Sequence, residues 1–457
     1  MAIALDAMRH TQLLLILCGT LPCLCSAKPV VWSNVVPRRN VTGEIMDAHD
    51  GTYNQWGGPG TPFYYYAMGY GDCKQGQDMC HGCGYGYSWI GVWKSADLSS
   101  GSWTLLGDAR RDDGTWPQQS EVSAYFRVHT IFNKRTAKYV MWVNVDNCPA
   151  EPGPSPKPGP AGACYAVGTS SNPEGPFDYV GRSTARYPSA GDFDLLVDDD
   201  GRAYIIYTST SMGHVMSIEL LNDDFTRTLA AGPTPLAPPS KRALELRPPD
   251  TVEDAASTSG IERTFTKRPY TREESSAAAV SSSSLLGGVG DGPTNTSSGI
   301  FGNHFVEAPA IFKRNGVYYA LFGECCCFCG HGSGIGVYTA AAPLGPWTYH
   351  ENIGCEGGEP KPGCGCGMNG GSPPALECPP LYGTSVTKAQ QNFVIQVHTP
   401  SGLEYVWTGD MWQSADDGIK AHDLQFWAPL VFVKDAASGL ELPRPVKWLD
   451  NFTIDVL

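Results

Sequence analysis

The sequence predicts an all-β chain: a five-bladed β-propeller with a long disordered-looking insertion and disulfide-rich loops. Three observations carry that expectation. A strand–strand–turn theme recurs five times. No segment of helical period separates the copies. Turn residues are abundant, with 53 Gly and 36 Pro among 457 residues.

The copies follow one another along the chain. PFYYYAMGY leads to WIGVWKSADLSSGSWTLLG, KYVMWVNV to CYAVGTSSNPEGPFDYVG, and AYIIYTS to VMSIELLNDDFTRTL. VYYALFGE then leads to GIGVYTAAAPLGPWTYH, and NFVIQVH to LEYVWTGDMW and FWAPLVFV. The units begin at Tyr64, Tyr139, Tyr204, Tyr318 and Phe393, at separations of 65 to 75 residues with one longer gap. That length suits a four-stranded blade. A β-sandwich that happens to repeat is the competing architecture.

The long gap is an insertion, residues 232–299, rich in Pro, Ser, Thr, Ala and Gly. With few large apolar side chains it cannot offset its ordering entropy. EPGPSPKPGPAG, residues 151–162, is a second, extended loop. Strand repeats continue on both sides of each, so residues 28–457 are expected to form a single domain.

Residues 1–27 have the form of a secretory signal. Arg9 and His10 precede TQLLLILCGTLPCLC, and Ser26-Ala27 supplies small residues for cleavage before Lys28. Gly19 and Pro22 interrupt the apolar run, which is short for a bilayer span. Sequons stand at Asn40, Asn295 and Asn451. Together these predict a secreted glycoprotein, extracellular or in a cell wall. Thirteen of the 16 cysteines follow the signal, and an oxidising compartment would pair them as disulfides. A zinc site from Cys80, His81, Cys83 and the cluster from Cys325 to His331 is the rival reading, weakened by irregular spacing. The formal charge of −14 argues against nucleic acid or an anionic membrane as partner.

The stretch GDFDLLVDDDGRAYIIYTS places five aspartates within ten residues. Asp198, Asp199 and Asp200 precede Gly201 between two apolar runs, a hairpin turn. Asp192 and Asp194 lie before that turn and on one face of the first strand. In a propeller the innermost strands line the central channel, so carboxylates entering them converge at one rim. Asp50 in DAHDGTYNQW, Asp192, and Glu307 in VEAPAIFKRNGVYY each hold that position. Asp194 is then a neighbour in support of Asp192.

These segments, with the turn APLGPW, resemble glycoside hydrolase family 43, a five-bladed, inverting family. DAHDG, NKRTAKYVMW and EYVWTGDMW are most similar to its exo-β-1,3-galactanase branch, and the resemblance covers roughly residues 40–455 outside the insertion. It implies that Glu307 is the general acid, Asp192 the carboxylate that sets its pKa, and Asp50 the general base. Galactanases of this branch carry glycine at the base position and use a glutamine near the last blade, matched here by Gln390. The resemblance implies substrate contact for Gln390, His49, Arg127 and Phe126. Phe126 stands where galactanases have a glutamate, which sets this chain apart in specificity.

The implied chemistry is consistent. An inverting pair sits about 6.5–9.5 Å apart to admit a water. Phe305, Val306 and Asp192 would raise the pKa of Glu307, while Asp50 would stay ionised. Trp56, Trp116 and Trp412 are candidates for stacking on sugar faces. The expected function is a secreted inverting hydrolase of galactose- or arabinose-containing polysaccharide, acting as a monomer. The alternatives are a non-catalytic carbohydrate-binding propeller and a disulfide-rich wall or adhesion protein. No cofactor is expected. A channel cation, held by some family members, has no legible ligand set in the sequence.

Overall fold

Alternation along a single strand shows how the chain builds its core. In PFYYYAMG, Tyr64, Tyr66 and Met68 turn into one apolar cluster, while Tyr65 and Ala67 turn into another. A strand buried on both faces belongs to a sheet sandwiched between two others. The computed structural model describes residues 27–74, 88–118, 124–149, 162–229, 294–302, 306–324, 332–354 and 386–457. Within them the same two-sided burial recurs around a ring.

Strand β1 (Lys28–Ser33) is followed by five antiparallel blades, the first two joined edge to edge into one eight-stranded sheet. Blade 1 holds β2 (His49–Asn54), β3 (Phe63–Gly69), β4 (Trp89–Ser95) and β5 (Thr104–Asp108). Blade 2 holds β6 (Tyr125–Asn133), β7 (Lys138–Val145), β8 (Cys164–Ser170) and β9 (Asp178–Ser183). Blade 3 holds β10 (Ala190–Val197), β11 (Ala203–Ser209), β12 (Val215–Leu220) and β13 (Ser297–Phe301). Blade 4 holds β14 (Val306–Arg314), β15 (Val317–Glu324), β16 (Gly336–Ala340) and β17 (Thr348–Asn352). Blade 5 holds β18 (Gln390–Thr399), β19 (Gly402–Met411) and β20 (Leu424–Pro429). A short hairpin, β21 (Phe432–Lys434) with β22 (Glu441–Pro443), and β23 (Asn451–Val456) complete the chain.

Five apolar clusters fill the five gaps between neighbouring blades. Tyr66 meets Val128 and Met141 between blades 1 and 2. Trp142 meets Phe193 and Tyr207 between blades 2 and 3. Ile206 meets Ile311 and Tyr318 between blades 3 and 4. Tyr319 meets Tyr405 and Trp407 between blades 4 and 5. Tyr65 meets Ile395 and Trp427 between blades 5 and 1. The ring is therefore closed, in the arrangement of a five-bladed propeller, and a two-layer sandwich is excluded. β1 pairs antiparallel with β23 along its whole length, and Trp32 packs on Trp427 and Phe452 beside the last gap.

The repeat phase differs in one place. Tyr64, Tyr139, Tyr204 and Tyr318 all lie in second strands, whereas Phe393 lies in the first strand of blade 5. Both strands are apolar runs buried on two faces, and periodicity alone does not separate them. The insertion also ends earlier than expected. Ser297 and Ser298 belong to β13, where Ser298 Oγ accepts the Ile218 N–H at 2.9 Å. Small polar residues read as loop, but here they suit the outer strand. The Asp198–Asp200 turn matches expectation, with Gly201 N–H donating to Asp198 O at 2.9 Å. Asp198 also receives Lys313 Nζ at 2.7 Å and the Tyr318 hydroxyl at 2.6 Å from blade 4.

Cys148 and Cys164 form a disulfide flanking the Pro-rich segment, and Cys73 is disulfide-bonded too. The signal, most of the insertion, Cys80, His81, Cys83 and the Cys325–His331 cluster lie outside the described residues. No helix among the described residues is long and apolar enough to cross a membrane. Asn295 and Asn451 are exposed; Asn40 is half-exposed, with Nδ2 donating to Glu44 Oε2 at 2.9 Å.

Gly51 sits where backbone leaves no room for a side chain. It forms a single parallel bridge to Val128, joining β2 to β6, and an added Cβ would lie 1.8 Å from Tyr66 O. Gly51→Ala is expected to cost about 2 kcal/mol or more through forced backbone displacement. Denaturant unfolding of the variant checks this; an unchanged midpoint would show that the blade yields there.

Candidate active site

Each innermost strand slips register within its first few residues. The slips fall between His49 and Thr52, Phe126 and Val128, Ala190 and Phe193, Glu307 and Ala310, and Gln391 and Phe393. A bulge frees one residue from the ladder and re-aims its side chain. Asp50, Arg127 and Ala308 there take φ values of 50°, 48° and 57°. For residues with a Cβ each costs on the order of 1 kcal/mol. The five bulges stand at equivalent places around the ring, so the freed residues meet at the channel mouth.

Arg127 is their centre. Its Nη2 donates to Asp192 Oδ2 at 3.1 Å, and Nη1 lies 3.5 Å from Asp50 Oδ1. Nη1 also donates to Gln391 O at 3.1 Å and to Asn392 Oδ1 at 3.2 Å. The guanidinium is 2% exposed. Burial opposes its charge, but Asp192 and Asp50 outweigh burial and hold its pKa above the ordinary value.

Asp50 is buried on β2, and its Oδ1 makes no hydrogen bond. Burial pushes its carboxyl up to about 7, aided by the charges of Asp410 and Asp192 and opposed by Arg127 and His49. Asp50 is therefore fully ionised, as a base must be, only above neutral pH. Asp192 is the most open of the group, with 19% of its side chain exposed. Its pKa is raised too, by burial and then by Glu307, against Arg127 and His214. Glu307 is buried, and its Oε1 lies 2.7 Å from His214 Nδ1.

Other foreseen residues have different places. His49 is buried, with both ring nitrogens engaged by Asp410 and Ala421 O, which leaves neither for a substrate. Gln390 is also buried, and its Oε1 accepts the Trp412 indole N–H at 2.7 Å. Phe126 is half-buried against the cluster between blades 1 and 2. Trp116 is a core residue, donating to Phe177 O at 2.9 Å, and Trp412 is buried. Trp56 is half-buried and donates to the Tyr66 hydroxyl at 3.0 Å. Phe305 lies outside the described residues. Asp194 pairs with His129 Nδ1 at 2.8 Å and receives Ile311 N–H at 2.8 Å, pinning blade 3 to blade 4.

Sequence reasoning missed Asp410, His214 and Asn392. Asp410 had a usable signal, since an acid inside the apolar strand VWTGDM requires a buried partner. His214 had only its place after Gly213. Among the described residues, no group of three His, Cys, Asp or Glu side chains is arranged for a metal ion.

A closed five-bladed ring with a buried guanidinium among carboxylates at one mouth is the class of protein that fold and site define. No protein-family model matches the chain, and no curated protein matches it. Solved structures do. An exo-β-1,3-galactanase from Phanerochaete chrysosporium, solved with galactose, aligns at TM-score 0.54 and 16% identity, over 93% of this chain and 69% of that one. An exo-β-1,3-galactanase from Clostridium thermocellum aligns at 0.57 and 16%, over 93% and 67%. A putative exo-β-1,3-galactanase from Bifidobacterium bifidum aligns at 0.51 and 17%, over 92% and 97%. At such identities the likeness establishes the shared fold.

Removing Arg127 leaves the buried Asp50 and the partly buried Asp192 without their shared cation. Arg127→Met is expected to lower stability by about 3 kcal/mol at pH 8. The loss shrinks near pH 5, because the orphaned carboxyls then take up protons. Denaturant unfolding at both pH values checks the magnitude and the sign.

Proposed function

We propose that this chain is a secreted glycoside hydrolase of the family 43 type, cleaving galactose- or arabinose-containing polysaccharide with inversion. Exo-action on β-1,3-galactan is the favoured form. One observation carries the reading: Asp50 of blade 1 and Asp192 of blade 3 meet at Arg127, and Glu307 of blade 4 stands within electrostatic reach of Asp192. Fold likeness to exo-β-1,3-galactanases supports the substrate class. Exposed sequons at Asn295 and Asn451 support secretion.

In this mechanism Glu307 donates a proton to the leaving oxygen, beside His214. Asp192 stands close enough for its charge to act against that of Glu307, and paired acids of this kind share protons rather than both ionising. Asp50, once ionised, takes a proton from the attacking water on the opposite face of the sugar. A base with a pKa near working pH suits that task. A binding-only propeller is the second reading, favoured by Asp50 being 4% exposed and by Phe126 replacing an acid.

Glu307→Gln and Asp192→Asn are each expected to lower release of reducing sugar from β-1,3-galactan, arabinogalactan or arabinan by about 10³-fold, without loss of fold. Wild-type turnover in Glu307→Gln overturns the assignment. Binding of these glycans with no sugar released selects the second reading.

The same carboxyl fixes a pH dependence. If Asp50 is the base, kcat/KM rises with pH through about 7, the value to which its carboxyl is pushed. An acid limb well below that, unmoved by Asp50→Asn, would assign the base elsewhere.

A further inference from the structure

His49 faces two acceptors. Its Nδ1 lies 3.0 Å from Asp410 Oδ1, and its Nε2 lies 3.2 Å from the main-chain oxygen of Ala421. A carbonyl only accepts, and so does a carboxylate. A neutral imidazole carries one N–H, so it can satisfy one of the two. The other nitrogen would then press a lone pair against an oxygen lone pair in a site 1% exposed. Only the imidazolium donates to both.

A protonated Asp410 donating to a neutral His49 would use the same atoms. The surroundings favour the ion pair. Asp410 Oδ2 already accepts the Asp50 N–H at 3.1 Å, which suits a carboxylate. Asp47 and Asp423 add negative charge around the ring, and Asp50 lies beside it in sequence. The Lys420 ammonium packs over the Trp412 and Tyr70 rings on the same side, and both rings contact His49. Burial acts to lower the histidine pKa, but the Asp410 hydrogen bond and the acidic charges outweigh it, leaving a raised value.

We propose that His49 and Asp410 form a buried imidazolium–carboxylate pair, and that its carboxylate positions Asp50 by receiving the Asp50 N–H. The pair joins blade 5 to blade 1 at the point where β2 slips register and Asp50 adopts φ 50°. His49 is thus a positioning residue two bonds of contact removed from the channel. Its role toward Asp50 rests on reading Asp50 as a working group; the charge state of the pair does not.

Side-chain ¹⁵N NMR on the full chain tests the charge state. The His49 signals are assigned by their loss in His49→Gln or, should that variant not fold, by cross-relaxation with the Trp412 ring, 5.4 Å away. Both ring nitrogens are expected to carry protons at about pH 8, above the ordinary histidine range. A neutral tautomer at pH 7 overturns the proposal. Carboxyl ¹³C titration of Asp50 tests the positioning role. His49→Gln removes a positive neighbour and should move the Asp50 midpoint up; Asp410→Asn removes the larger negative neighbour and should move it down. A merely structural role would loosen the site in both variants and move both midpoints down, toward the ordinary carboxylate value, and that result overturns it. Neither measurement depends on turnover, so loss of the hydrolase reading would leave both interpretable.

Discussion

Four of the five blades reach the guanidinium of Arg127. It belongs to blade 2, touches Asp50 of blade 1 and Asp192 of blade 3, and donates to Gln391 and Asn392 of blade 5. Blade 4 is tied in one step later, because the Gln391 side chain donates to Ala308 O at 2.8 Å. Burying such a cation alone would cost several kcal/mol. Two carboxylates and two neutral acceptors offset that penalty, and together they determine where the carboxylates stand. The arrangement of the mouth follows from placing acceptors on the two terminal nitrogens of one fixed, planar fork.

The fork can be reached only because the strands give up their ladders there. Five bulges at equivalent places trade regular pairing for aim, and strained φ values at Asp50, Arg127 and Ala308 persist because the apolar gaps on either side hold the blades. Stability and site are thus divided by radius. Aromatic packing between blades keeps the ring closed, and the inner rim carries the polar, strained and charge-coupled groups. His49 and Asp410, and His129 and Asp194, repeat one device at two seams: a buried histidine–carboxylate contact whose second oxygen takes a backbone N–H from the neighbouring blade.

Much of this was legible in the residues. Two-sided apolar strands, Gly-Pro and Asp-Gly turns and the spacing of the copies announce blades, because each is a local property. The positions of Asp50, Asp192 and Glu307 could be read because the repeat supplied a common frame. What could not be read depends on register. A period-two pattern contains no sign of a bulge, so the aim of Arg127 and the burial of Asp50 lay beyond it. The engagement of His49 is not legible because its partner, Asp410, lies 361 positions away. The place of Trp116 could not be read because an indole suits a sugar face and a blade interior equally well. The serines of β13 read as loop for want of large side chains, although an outer strand needs few.

The ribbon of β1 with β23 carries a consequence for synthesis. Among the described residues, the backbone ladder of Lys28 through Ser33 is with Asn451 through Val456. At about 5–20 residues per second, the ribosome leaves the first strand waiting on the order of tens of seconds for its mate. Through that interval an apolar edge bearing Val30 and Trp32 stands open beside an unsealed gap. The edge of β1 is therefore covered only after the last-synthesised of the described strands has emerged.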